Sequence, residues 1–194
     1  GINGGGAVYG IPDIVNYPMT MSIRRDWMAN VGFDVPDENV IKMTMDTFYD
    51  LMHKFTYEDP DGDGEKDTFG MCFAIQGMGM IHPILNAYGV PMPGWFLDES
   101  GKVTTYLKHK NFLKGIEFLR TMYAEGLLDV DFLTVPDATA EFNNLWNGTA
   151  GAAAWSPAGM TNNWIGRYVE ELQANDFIYV DLTDSDGAGG GYYI

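Results

Sequence analysis

The stretch DPDGDGEKD, residues 59–67, sets aspartates at 59, 61, 63 and 67 around glycines at 62 and 64. Carboxylates on alternate positions of a bending chain can converge on one hard cation. Calcium takes six to eight oxygens, and an EF-hand-type loop supplies them from positions 1, 3, 5, 7 and 9 with a glycine at 6. Counting from Asp59, Asp61 is at 3, Asp63 at 5, Gly64 at 6, Glu65 at 7 through its backbone carbonyl, and Asp67 at 9. Position 12, where an EF-hand carries a bidentate glutamate, is Gly70. Asp67 must then bind directly, or Thr68 and water must complete the sphere. The competing reading is a solvated acidic turn. Four aspartates this close repel one another, and a bound cation relieves that most simply.

Other residue types offer less. The histidines His53, His82 and His109 are scattered without metal-ligand spacing, and the single cysteine, Cys72, sits in the apolar run Met71–Ala74 as a small core residue. No Gly-x-Ser-x-Gly, phosphate-binding loop or dinucleotide fingerprint is present. No enzyme cofactor is expected. A glycoside-active enzyme needs two carboxylates set apart across a sugar, but the dense acidic cluster here suits calcium better. A calcium-stabilised surface adhesion module would be all-β and repetitive, and this sequence is neither.

Composition sets the frame. The 194 residues hold 11 Lys+Arg against 27 Asp+Glu, a net charge of −16, which argues against nucleic acid and anionic membrane surfaces as partners. Apolar content of 46% is that of a globular chain able to bury one core. The glycine-rich ends, GINGGG and DGAGGG, beside extended apolar stretches, suggest an internal piece of a longer chain.

Strands and helices alternate along the sequence. Val8–Pro12 reads as a strand, and Ser22–Val31 as a helix stopped by Gly32. Thr44 caps a helix whose apolar residues Phe48, Leu51, Met52 and Phe55 share one face. After the acidic loop come a strand, Phe69–Ile75, and a helix, His82–Tyr88, with Pro83 in its first turn. A hairpin flanks DESGK at 98–102. A long helix follows over Asn111–Ala124, with Phe112, Ile116, Leu119 and Tyr123 on one face and Gly126 as its stop. Asp137 caps a helix that Gly148 ends, AGAAAW (150–155) is a buried strand, a helix starts at Thr161 or Asn162 and runs through Leu172, and Phe177–Val180 is the last strand. This alternation predicts an α/β layer fold with ligands at the carboxyl ends of the strands. A strand after the acidic loop, with no second helix to swing, makes that loop a staple and not a sensor.

The segments AVYGIP…MTMSIRRDWMANVGFDVP, FTYEDPDGDGEKDTFG, GVPMPGWFLDESGKV, YAEGLLDVDF and FNNLWNGTAGAAAWSP occur in an order that resembles family 1 extracellular solute-binding proteins. These are carbohydrate-capturing lipoproteins of ABC importers, and the resemblance covers nearly all of the chain. It implies one lobe of a type II periplasmic-binding-protein-like fold, residues 1–194 forming the second of two lobes that face each other across a sugar cleft. It implies an oligosaccharide ligand, ABC permease subunits and the remaining lobe as partners, a structural calcium ion, and a lipid-anchored extracellular parent.

Sugar recognition needs flat aromatic faces with polar groups at the rim. Trp155, at the end of AGAAAW, resembles the family's strand-to-loop segment at the sugar, and Gln76 falls in the segment that borders the cleft in relatives. Asn16 and Tyr17 follow the first strand, and Trp95 sits in PGWFLDESGK. Core packing is the competing role for each aromatic, and for Trp27, Trp146 and Trp164, on helical stripes, it is the expected one.

Overall fold

A computed structural model describes residues 3–4, 7–8, 19–72, 81–92, 94–134, 138–155 and 176–184. A short antiparallel pair, β1 (Asn3–Gly4) and β2 (Ala7–Val8), opens the chain. The main sheet is built from β3 (Thr20–Arg24), β4 (Val40–Thr44), β5 (Phe69–Met71), β8 (Ala150–Trp155) and β9 (Phe177–Thr183), in the order β4-β9-β3-β8-β5. β6 (Trp95–Leu97) and β7 (Val103–Thr105) form a separate antiparallel ribbon. The helices are α1 (Arg25–Asn30), α2 (Met45–Tyr57), α3 (His82–Ala87), α4 (Phe112–Ala124) and α5 (Ala138–Trp146).

β4 runs parallel to β9, and β5 parallel to β8, while central β3 is antiparallel to both of its neighbours. The carboxyl ends of four strands therefore meet at one edge, beside the start of β3. β9 and most of β3 are buried on both faces, as strands are when the sheet is covered on two sides. On one face Gly151 lets α1 and α2 come down onto the sheet. A Cβ there would lie 2.1 Å from Phe55 Cδ2 and 2.8 Å from Trp27 Cε3. Those two rings meet edge to face at 5.4 Å. An aromatic chain from Tyr49 through Phe118 to Tyr88 ties α2 to α4 and to the end of α3.

Helix ends follow the sequence signals. Thr44 Oγ1 accepts from the Thr47 N–H at 3.2 Å, and Phe48, Leu51, Met52 and Phe55 are all buried. Glycine with positive φ follows α1, α3, α4 and α5, at Gly32, Gly89, Gly126 and Gly148. At Gly126 its N–H donates to the Tyr123 carbonyl and that of Leu127 to Met122, at 3.0 and 2.8 Å, a Schellman closure. Trp27, Trp146 and Cys72 are core residues, as their surroundings imply.

Several expectations are corrected. The helix over Ser22–Val31 starts only at Arg25, because Met21, Ser22 and Ile23 pair with β8 on one side and β9 on the other. Two-sided ladder bonding outweighs local helical spacing there. On α4, Phe112, Ile116 and Leu119 are only half-buried, with Phe112 and Leu119 packed against the core. The helix buries Gly115 and Met122 and leaves Tyr123 exposed, because Gly115 sits against Leu85 where a Cβ would meet Leu85 Cδ2 at 2.4 Å. β4 carries no clear alternation in the sequence and is an additional strand, and β9 runs three residues beyond Val180. The strand from Phe69 ends at Met71, with Cys72 already outside it, and the Val8–Pro12 strand is described only to Val8. The cap at Asp137 and the helix from 161 lie outside the described residues.

Candidate functional site

The acidic loop leaves the end of α2 with Asp59 at φ +50°, a left-handed backbone that aspartate tolerates better than most residues. Its carboxylate organises the turn: the Gly62 N–H donates to Oδ1 at 3.0 Å and the Gly64 N–H to Oδ2 at 3.1 Å. The Glu65 N–H donates to Asp63 Oδ1 at 2.8 Å. Asp59, Asp61 and Asp63 each bring one ligand oxygen within 4.8 Å of the others. Two oxygens bound to a common calcium at about 2.4 Å stand no more than about 4.8 Å apart, so this spacing fits that ion. Crowding against protein, then the Asp63 charge, pushes the Asp61 carboxyl above its ordinary value. Asp67 and the Glu65 side chain are not in this group.

The loop is rooted firmly. Thr68 is buried and its hydroxyl donates to the Phe55 carbonyl at 2.9 Å, while the Gly70 N–H donates to Thr56 Oγ1 at 3.0 Å. Asn30 Nδ2 donates to the Pro60 carbonyl at 2.8 Å, fastening the loop to the end of α1. Gly70 cannot be a twelfth ligand position. A Cβ there would lie 2.7 Å from Met52 Cβ and 3.0 Å from the Leu127 carbonyl oxygen. Neither Asn30 nor Thr68 carries a sequence signal as a loop anchor; the Thr68 hydroxyl, a candidate to complete the calcium sphere, donates to the helix.

The second feature is the sheet edge where β4, β5, β8 and β9 end. Trp155, the last residue of β8, pairs in register with Thr20, the first of β3. β5 ends there at Met71, and β9 at Thr183 beside Thr44 of β4. Thr20, which begins β3, and Met71, which ends β5, lie at the same end of the sheet as the Trp155 backbone; in the sequence Asn16 and Tyr17 precede β3 and Gln76 follows β5. Asn16, Tyr17 and Gln76 themselves, and the Trp155 side chain, lie outside the described residues. Trp95 lies on the β6–β7 ribbon and is 75% exposed. None of the three histidines joins a metal-type cluster among the described residues. Burial lowers the His82 pKa, and burial together with the Lys110 charge lowers that of His109.

No protein-family profile matches this chain. The lipoprotein LipO of Bacillus subtilis is 31% identical over 199 residues, an alignment covering 95% of this chain and 36% of LipO. The fructooligosaccharide ABC transporter substrate-binding protein FusA of Streptococcus pneumoniae is 28% identical over 111 residues, 55% of this chain and 19% of FusA. In structure, FusA in complex with kestose superposes with a TM-score of 0.68 at 18% identity, covering 89% of this chain and 33% of that one. A FusA EF-hand mutant in complex with fructo-nystose superposes with a TM-score of 0.66 at 17% identity, covering 91% and 34%. The shared fold is the mixed α/β architecture of solute-binding proteins, and the chain spans about a third of the length of LipO. By sequence and by fold, the chain is a homologue of the substrate-binding proteins of sugar ABC transporters and corresponds to about one third of such a protein.

Proposed function

We propose that this chain forms one wall, the second lobe, of an oligosaccharide-binding cleft in the substrate-binding component of an ABC importer. The sheet edge described above carries the reading. Open α/β sheets take ligands outside the carboxyl ends of their strands; Trp155 ends β8 at that edge, and in the sequence Gln76 follows β5 and Asn16 and Tyr17 precede β3. In this reading Trp155 stacks on a pyranose face while Gln76, Asn16 and Tyr17 bond its hydroxyls. Trp95, exposed on its separate ribbon, is the further aromatic candidate for the sugar in this reading. The remaining lobe closes the cleft from the other side, and permease subunits receive the sugar. The parent works outside the cell on a lipid anchor, a reading supported by the similarity to a lipoprotein. It binds sugar without cleaving it.

The acidic loop holds a structural calcium ion through Asp59, Asp61, Asp63, the Glu65 carbonyl and Asp67. The 4.8 Å convergence of three carboxylates supports that assignment. Asp67 lies outside the converged set, so it joins by a small loop closure or through a bridging water. Calorimetric titration of the intact substrate-binding protein with neutral and uronate-containing oligosaccharides tests the main reading. Saturable binding without hydrolysis is expected. Absence of heat with every class, on a protein that melts cooperatively, would remove it.

A further inference from the structure

The end of β9 brings together four side chains that neither the calcium loop nor Trp155 uses. Thr183, its last residue, stands in register with Thr44 of β4, so Asp184 follows at the same sheet edge where Asp46 enters the first turn of α2. Lys114, in the first turn of α4, reaches Asp184 Oδ2 at 2.8 Å and holds its ammonium 4.6 Å from the Tyr88 ring centroid. The Lys114 side chain is 53% exposed, that of Asp184 20%, and Asp46 is exposed, so the cluster opens to solvent. Lys42 and Asp181, two residues back on the same strands, stand opposite each other in register and add no net charge.

Tyr88 is only 8% exposed. Its carbonyl accepts from Asn111 Nδ2 at 2.8 Å, whereas its hydroxyl has no hydrogen-bond partner among the described residues. A tyrosine buried this far ordinarily finds one. Burial, then the charges of Asp184 and Asp46, hold the phenol in its protonated form, a donor without an acceptor. A sugar hydroxyl both donates and accepts. The cluster answers both ways, with the Tyr88 O–H and the remaining Lys114 N–H groups as donors and the Asp46 and Asp184 carboxylates as acceptors. An anionic ligand finds no such match. Lys114 is already paired, and the N-terminus of α2 is capped by Thr44 Oγ1 and carries Asp46. The ten residues that precede β3 and the ten that follow each of β5, β8 and β9 contain no Lys or Arg, and they include Asp13, Asp184 and Asp186. A sugar carboxylate brought beside Asp46 and Asp184 would meet like charge.

We propose that Tyr88, Asp46, Asp184 and Lys114 form a hydroxyl-binding subsite of the cleft that admits neutral oligosaccharides and excludes uronates. The inference rests on the sugar-cleft reading and narrows its ligand class. The test is calorimetric titration of the intact substrate-binding protein at low salt with fructo-oligosaccharides, gluco-oligosaccharides, oligogalacturonate and the methyl ester of that oligogalacturonate, which keeps its backbone and removes its charge. Heat with a neutral ligand and none with oligogalacturonate is expected. Tyr88→Phe, which keeps the ring beside Lys114, should weaken the neutral ligand about ten-fold with unchanged melting at neutral pH. Asp46→Asn, at an exposed position, should weaken the same ligand and leave the fold intact. Oligogalacturonate bound as tightly as the neutral ligands overturns the subsite and leaves the cleft reading standing. Full neutral affinity in folded Tyr88→Phe does the same. Absence of heat with every sugar overturns both.

Discussion

Gly70 lies so close to Met52 across the α2–β5 junction that a Cβ on it would come within 2.7 Å of Met52 Cβ and 2.9 Å of the Met52 carbonyl oxygen. The last turns of the helix and the strand that follows the acidic loop are thereby held at backbone contact. Any side chain at this position forces them apart. Gly70→Ala should cost on the order of 1–3 kcal/mol, the usual effect of overpacking, read as a lower denaturation midpoint in urea. Gly70→Glu, which restores the EF-hand consensus on paper, should lower stability further without tightening calcium binding. A gain in calcium affinity would show that the strand can move away from α2.

Calcium should raise the melting temperature and EGTA should lower it, because an ion bound only by the folded chain stabilises it by about 2.7 kcal/mol at a hundred times its dissociation constant. Asp61→Asn should abolish the response. Identical melting in chelator and in millimolar calcium would leave the loop as a solvated turn.

Without metal the same carboxyl gives a pH signature. The folded-state pKa of Asp61 is raised by crowding and by the Asp63 charge, so the folded state holds its proton more tightly than the unfolded state does. That contribution to stability is present below the ordinary carboxylate pKa and is lost as pH rises through the raised one. Asp61→Asn should flatten this component of the stability profile in chelator. With calcium bound the acidic-range dependence should reverse, since protons then compete with the ion.

Tyr88 should titrate late. Burial first, then the charges of Asp184 and Asp46, push its phenol up to about 12, even though Lys114 Nζ lies 4.6 Å from the ring centroid. A raised phenol contributes stability that is complete below the unfolded value near 10 and is lost as pH rises toward the folded one. Ultraviolet difference titration of wild type against Tyr88→Phe should assign the missing high-pH step to this residue, and the variant should resist alkaline unfolding better.

Trp155→Ala in the intact substrate-binding protein should weaken oligosaccharide binding by about 1–3 kcal/mol, as loss of an aromatic anchor does. Calcium-dependent melting should be unaffected, since the loop lies between α2 and the start of β5, which pairs with Ala150 at the opposite end of β8 from Trp155. Unaltered affinity in a folded variant would make Trp155 a packing residue and move the sugar site.

Sequence alone determined whatever depends on neighbours within a turn or two. The Thr44 cap, the Phe48–Phe55 stripe of α2, the glycine stops at Gly32, Gly126 and Gly148 and the DESGK hairpin are local, and each formed where its residues indicated. The spacing of Asp59, Asp61 and Asp63 was legible for the same reason, because one bend converges them. Only the tertiary structure decided that Thr20–Arg24 is the central strand, since its amides bond partners more than a hundred residues away. It also decided which face of α4 is buried, through the approach of Gly115 to Leu85, and why Gly70 cannot be glutamate, through the approach to Met52. The apolar face of the β6–β7 ribbon belongs here too, because the register that puts Trp95, Leu97 and Val103 together is set by cross-strand hydrogen bonds and not by sequence distance. Local bonding is fixed by residues within reach along the chain, whereas burial depends on which remote backbone arrives beside them.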